Sequence, residues 1–324
     1  MFFSRTRALA CAFIFLAPPG AGAVEIPNCT IRIVVSGPAA GTPDLIARLG
    51  ADKLGAALGR NVVVENQSGG AAAIMSINVV KNAKPDGCTL LAANASIFSI
   101  SPTLYSKPLY DPADFQPISV NAVSPNVLIV NSKVPAKNLA ELVALVKAQP
   151  EKMNFGFGGV GTPMHLYGAM LAARFDLRMN RVPYRGSAPV IADLVGNQVQ
   201  FTFEQFPSFI AQVGPGNVRA LAVAGAARSA VMPDIPTLIE EGVAGADAVS
   251  WFGLVAPRGT PPDIREAYAK ILSDGVRDPV VVARLKSLGA EAKGATPAET
   301  QAWMDGQLAK WTPLVKASGV VIDQ

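Results

Sequence analysis

Apolar and polar positions follow two periods along this chain. Residues 31–36 (IRIVVS) form a short apolar run rich in β-branched residues, the pattern of a strand buried on both faces. Leu45, Leu49, Leu54 and Leu58 then recur at helical spacing. NVVVEN (61–66) predicts a second strand, Gly69-Gly70 opens a helix running through Ile74, Ile77 and Val80, and CTLLAA (88–93) predicts a third strand. A β-α-β-α-β order implies a parallel sheet with right-handed crossovers. A proline-rich passage follows at 102–117. The second set comprises NVLIVN (126–131), a helix over 139–148, MNFGF (153–157), a helix over 163–175, NRVPY (180–184), a helix over 188–195, VQFTFE (199–204) and VRALAVA (218–224). The tail carries VSWFGLVAP (249–257) and three helices starting near Pro261, Asp278 and Pro297.

This order predicts an α/β chain of two lobes, each a mainly parallel sheet flanked by helices, with a ligand cleft between them. Residues 24–124 are the first part of lobe 1, 125–227 are lobe 2, and 228–324 return to lobe 1. A hinge crossed twice is the layout of two-lobed proteins that close on a ligand.

The first residues change the picture. Arg5 and Arg7 precede an apolar stretch (8–17), Pro18, Pro19 and Gly20 break it, and Ala21-Gly22-Ala23 has the small-x-small form of a cleavage site. Residues 1–23 therefore read as a secretory signal peptide, and the mature chain is expected to begin near Val24, in the periplasm. Cys11 lies inside the apolar stretch rather than after it, which argues against a lipid anchor. About 300 residues remain, large for one core and natural for two. Half the residues are apolar and 16% are charged, so the chain is globular. The net charge is +4, but Lys and Arg are scattered without aromatic interleaving, which sets nucleic acid aside as a partner.

Cys29 and Cys88 each stand just before a strand-like run. If those strands are parallel neighbours, both sulfurs lie at one sheet edge, and an oxidising compartment would bond them. His165, the single histidine, has no partners at metal-ligand spacing, so no metal site is expected and a packed, hydrogen-bonded role is. Trp251, Phe252, Phe201 and Phe203 read as core.

Two turns carry the candidate chemistry. Gly41-Thr42-Pro43-Asp44 follows the first strand, and Gly161-Thr162-Pro163 follows MNFGF in the other lobe. Thr reads as the N-cap and Pro as the first helical residue. First-turn amides lack intrahelical partners and sit at the positive end of the helix dipole, an arrangement that binds anions. Thr260-Pro261 and Thr296-Pro297 also read as helix starts, the latter with a capping box to Glu299, so Thr-Pro alone marks only a helix. What sets the first two apart is the strand before and the small-residue loop between, which places them at the carboxyl ends of strands. Tyr184-Arg185-Gly186-Ser187 is a third candidate, with Ser187 as N-cap and Arg185 able to pair with a carboxylate.

On these residues the chain resembles the extracytoplasmic solute receptors of tripartite tricarboxylate transporters, the Bug receptor family. The carriers include IRIVVSGPAAGTPDLIARLGADKLGAALGRNVVVEN, PDGCTLL, YDPADFQPIS, GGVGTPMHL, VPYRGSAPVIADLVGNQV, MPDIPTLIEEG and SWFGLVAPRGTPP. The resemblance implies a periplasmic-binding-protein fold, a small carboxylate ligand, no catalysis, no cofactor, membrane transporter subunits as partners and a monomeric receptor. Carried over, the ligand turns are Pro38, Ala39, Ala40, Gly41, Thr42 and Asp44 in one lobe and Gly159, Val160, Gly161 and Thr162 in the other. Ala95, Ser96, Arg185, Gly186, Ser187 and Glu204 would shape the distal end. The family's first turn commonly reads Pro-Phe-Pro-x-Gly-Gly; here Ser36 and Gly37 replace Pro-Phe and Ala40 replaces a glycine, so the pocket is expected to be wider or closed by another side chain. Glu204-Gln205 stands where Asp-Asn is frequent. Two other readings compete: a periplasmic ligand sensor for a signalling system, and a secreted hydrolase built on His165.

Overall fold

The computed structural model describes residues 26–67 and 73–323. The segment expected to be a signal peptide and the expected Gly69-Gly70 helix opening lie outside the described residues. The first sheet takes β1 (Ile31–Val35), β2 (Val62–Asn66) and β3 (Thr89–Asn94), with α1 (Thr42–Leu58) and α2 (Ile74–Lys81) as crossovers. After β3 a π-helical turn, Ser96–Ile100, runs into a short helix α3 (Ser101–Leu104). Then β4 (Phe115–Ser124) leads through Pro125 directly into β5 (Asn126–Asn131). The second sheet is completed by α4 (Leu139–Ala148), β6 (Asn154–Phe157), α5 (Pro163–Phe175), β7 (Asn180–Pro183), α6 (Ser187–Val195), β8 (Phe201–Gln205), α7 (Phe206–Val213) and β9 (Val218–Ala224). Last come β10 (Ser250–Pro257), α8 (Pro262–Gly275), α9 (Pro279–Ser287), β11 (Glu291–Ala292) and α10 (Pro297–Ala317).

Strand order is β11-β4-β10-β3-β1-β2 in one sheet and β7-β6-β8-β5-β9 in the other. Strand alternation puts Ile31, Ile33 and Val35 against α1 and α8, and Val34 against α2 on the opposite face. In the second sheet Phe155, Phe201 and Phe203 face α5, while Val127 and Ile129 face α6 and α7. Each sheet is mixed rather than mainly parallel. β2, β1 and β3 are parallel, as are β7, β6 and β8, but β10 and β5 insert antiparallel to them. The cause is the crossing itself: a strand that enters from the other lobe starts where the parallel strands end.

The crossing strands decide where the chemistry sits. Ser250, the first residue of β10, pairs with Ser124, the last of β4, and Phe252 pairs with Asn94 at the end of β3. Asn126, the first residue of β5, pairs with Gln205 at the end of β8. The carboxyl ends of both parallel strand sets therefore point at one junction. Buried Asn126 and Ser250 hydrogen-bond there across the two crossings at 3.2 Å.

Residues 228–249, expected to return to lobe 1, stay with the second sheet: Leu238, Val243, Ala246 and Ala248 belong to its core, and the Leu238 amide donates to the Val223 carbonyl. The chain rejoins the first sheet only at β10. α10 spans the junction, with Met304 in a first-lobe core and Trp311, Leu314 and Val315 in the second. Its start is the capping box expected at Thr296 and Glu299. Thr260, by contrast, lies ahead of α8, whose cap position is Pro261.

β1 and β3 are parallel neighbours, and Cys29 and Cys88 at their starts are bonded, with Cα atoms 6.1 Å apart. The bond closes a loop of sequence separation 59, worth about 4 kcal/mol on the chain-entropy account. Replacing both cysteines by serine should lower the calorimetric melting temperature by several degrees. An unchanged melt would show that the bond adds nothing.

Candidate functional site

In the first lobe the chain leaves β1 at Val35 and turns through Ser36, Gly37, Pro38, Ala39 and Ala40, the last three exposed. Ala40 sits at φ 62°, left-handed backbone that costs an L-residue about 1–2 kcal/mol. The turn demands that geometry, which accounts for glycine as the family's choice there. Gly41 then takes the extended cap position with no side-chain cap, and Thr42, expected as the cap, is the first helical residue. The left-handed step at Ala40 brings the helix forward by one residue. Pro43 has no amide hydrogen, so the Thr42 and Asp44 amides are left at an uncapped positive helix end.

Asp44 does not offer its side chain to a ligand. Its buried carboxylate accepts from the Ala40 amide at 2.9 Å, the Arg48 guanidinium at 3.0 Å and the Asn66 amide at 3.0 Å. Asn66, at the end of β2, also donates to the Gly37 carbonyl at 3.1 Å. The side chain thus braces the loop against its own helix. Burial alone would raise the Asp44 pKa, but the hydrogen bonds from Arg48, Ala40 and Asn66 and the Arg48 charge hold it below the ordinary carboxylate value. Beside this turn, Asn94 accepts from the Ile97 amide at 3.2 Å and approaches the Ser36 hydroxyl at 3.5 Å, fixing Ala95 and Ser96 at the end of β3.

In the second lobe Gly158 to Gly161 follow β6. Thr162 is the N-cap of α5 as expected, accepting from the His165 amide at 3.3 Å and donating to the Gly159 carbonyl at 2.8 Å. Gly161 sits at φ 78°, and its amide donates to His165 Nδ1 at 3.3 Å. His165 is buried and stacked 4.4 Å from Phe157. Burial, with Arg181 nearby, lowers its pKa to about 4, so near neutral pH the ring is uncharged and able to accept that bond. The histidine therefore supports the turn, the packed role expected of it.

The next loop leans on this turn. The Gly186 amide donates to the Gly158 carbonyl at 3.1 Å, and a Cβ on Gly158 would meet Gly186 backbone at 3.0 Å. Gly186, at φ 97°, is the N-cap of α6, so Ser187, expected in that place, is the first helical residue. Arg185 is exposed. Glu204 stands at the end of β8, wholly buried.

Within each lobe the sequence-predicted residues come together at strand ends, and the crossing strands turn both groups toward one junction. One segment physically joins them: Ser96 opens the π-helical turn in the first group, and Leu104 at its far end packs against Gly161, where a Cβ would lie 2.4 Å from Leu104 Cδ2. Leu104, Asn66 and Arg48 escaped the sequence reading. Arg48 was discernible four residues after Asp44 on one helix face. A groove of about 890 Å³ between α8 and the start of α10 lies elsewhere, lined by both Arg265 and Lys270 and Glu266 and Asp274. Its mixed charge suits no single ion. Among the described residues no cluster of metal-ligating side chains occurs, and no helix is long and apolar enough to cross a membrane.

Removing the Asp44 carboxylate (Asp44→Ala) should cost about 2–3 kcal/mol, since several charge-assisted hydrogen bonds are lost at a buried site. With a native pKa below the unfolded one, this contribution is present above about pH 4 and disappears as pH falls through the native value. Urea melts of the two proteins should therefore differ at pH 7 and draw together only as the pH falls below the ordinary carboxylate range.

Comparison with known proteins agrees with this geometry. Residues 46–320 match the family described as the tripartite tricarboxylate transporter family receptor. The chain is 32% identical to Protein BugT of Bordetella pertussis over 97% of its own length and 98% of that protein's. It superposes on the periplasmic binding protein BugD with a TM-score of 0.81 at 36% identity, covering 92% of this chain and all (100%) of that one. An R. palustris protein solved with adipate gives a TM-score of 0.84 at 30% identity, covering 92% and 99%. With two lobes whose strand ends meet at a hinge and this extent of match, the chain belongs to the tripartite tricarboxylate transporter receptor family, a family of periplasmic solute-binding proteins.

Proposed function

We propose that this chain is exported to the periplasm, captures one small carboxylate between its lobes and delivers it to the membrane subunits of a tripartite transporter, acting as a monomer without cofactor or metal. The observation that carries this reading is the uncapped start of α1, held open by the Asp44 brace at a junction that the glycine turn before α5 also faces. An anion there receives main-chain hydrogen bonds and the field of a helix end. On this reading Pro38 to Thr42 with the Asp44 amide hold it from one side, and Gly159 to Thr162 from the other. Ala95, Ser96 and the Arg185–Ser187 loop surround the rest of the molecule. The adipate held by the R. palustris relative supports a carboxylate ligand.

Thermal-shift screening of the mature protein against aliphatic di- and tricarboxylates, amino acids and aromatic acids tests the ligand class. A ligand at a hundred times its dissociation constant should stabilise by about 2.7 kcal/mol, a shift of a few degrees. The site is tested separately. Gly161 is a poor probe, since its positive φ and its contact with Leu104 would penalise any side chain. Val160 is 52% exposed in the same turn, so Val160→Asp should leave the unliganded melt unchanged and weaken acid binding about tenfold or more through like-charge repulsion. Undiminished binding would remove that turn from the site.

A further inference from the structure

α10 is anchored in both lobes, and its anchors divide at one place. Ahead of residue 305, Thr300 accepts the Val120 amide at 3.2 Å, Trp303 and Met304 pack in a first-lobe core, and the Lys293 ammonium lies 4.1 Å over the Trp303 ring. After residue 306, Gln307 accepts the Val249 amide at 3.2 Å, Lys310 pairs with Asp247 at 2.7 Å, and Trp311, Leu314 and Val315 enter the second-lobe core. Thr312 also meets Thr103 of α3 at 3.2 Å. Gly306 stands exposed in the gap between the two sets. Nothing in the fold requires glycine there. Its φ is not positive, and a Cβ would meet no packed neighbour within 4 Å. Alanine would fit and favour the helix, whereas glycine weakens a helix interior because its backbone has more freedom to lose. Pro313, the proline inside α10, has Trp311 on one side and Leu314 on the other in the same core, so a bend there would not part the lobes. The helical crossing that packs against α10 is irregular at the matching place. Ile97 and Phe98 pack in the first lobe and Ile100 and Leu104 in the second, and the π-helical turn spans that change.

We infer that α10 bends at Gly306 when the lobes move, so that each half of the helix travels with its own lobe and the helix serves as a hinge beside the two crossing strands. This rests on the reading above that a ligand is captured between the lobes. The anchors on both sides stay in place during the motion, and the change in backbone angle is taken up at the glycine. Alanine at 306 stiffens the helix there and restricts the angle between the lobes.

The experiment is double electron–electron resonance on the mature protein without ligand. Cys29 and Cys88 are bonded to each other, so spin labels can be directed to Asp52→Cys in α1 and Lys147→Cys in α4, both exposed and one in each lobe. The wild type should give a broad distribution of distances between the lobes. Gly306→Ala should narrow it, slow hydrogen exchange at the amides of residues 307–310 about fivefold, and raise the melting temperature by about 1–3 °C. Ala302→Gly places a glycine at an exposed position within the first-lobe half of the helix. It should lower the melting temperature by a similar amount and leave the distance distribution as in the wild type. A distribution unchanged in Gly306→Ala, or altered as much by Ala302→Gly, overturns the inference while leaving the receptor reading intact. A single fixed distance in the wild type, unmoved by any acid of the thermal screen, contradicts closure itself and with it the capture of a ligand between the lobes.

Discussion

The direct passage of the chain from β4 through Pro125 into β5, answered by β10 coming back, is the constraint on which the rest depends. An extended chain leaving one sheet and entering the next must start its new strand at the edge nearest the first sheet. There it pairs antiparallel with strands that end at that edge. The carboxyl ends of both parallel sets are thereby brought to the junction, and with them the loops that α/β sheets use for ligands. On the proposed reading, this topology makes one facing pair of the two turns. The buried Asn126–Ser250 hydrogen bond and α10, with core residues in both lobes, hold the passage in register.

The two turns are built differently. α5 is capped by Thr162 and its turn is supported by a neutral histidine. α1 has no side-chain cap, and the nearby acid that might have filled that place, Asp44, points back into the loop. A helix start that is uncapped, and whose loop is nevertheless rigid, has its amide donors already oriented. Binding there need not order the loop, which removes part of the entropic cost of association.

Much of this was legible in the sequence because periodicity reports burial directly. The strands at 31–35 and 89–94 and the stripe of Leu45, Leu49, Leu54 and Leu58 follow from it, and the parallel pairing of β1 with β3 followed well enough to anticipate the Cys29–Cys88 bond. The cap positions at Thr42 and Ser187 were each off by one residue. In both cases the residue before the expected cap takes its place: Gly41, extended after the left-handed Ala40, and Gly186 itself at positive φ. Residues 228–249 were assigned to the wrong lobe because an irregular segment has no period to read.

The central claim is that one anion is held from both lobes at once. Titration of ¹⁵N-labelled mature protein with the acid giving the largest thermal shift tests it most directly. Amide resonances of Gly41, Thr42 and Asp44 in one lobe and of Val160, Gly161 and Met164 in the other should move together, with a single dissociation constant. Perturbations confined to one of these turns would contradict the account.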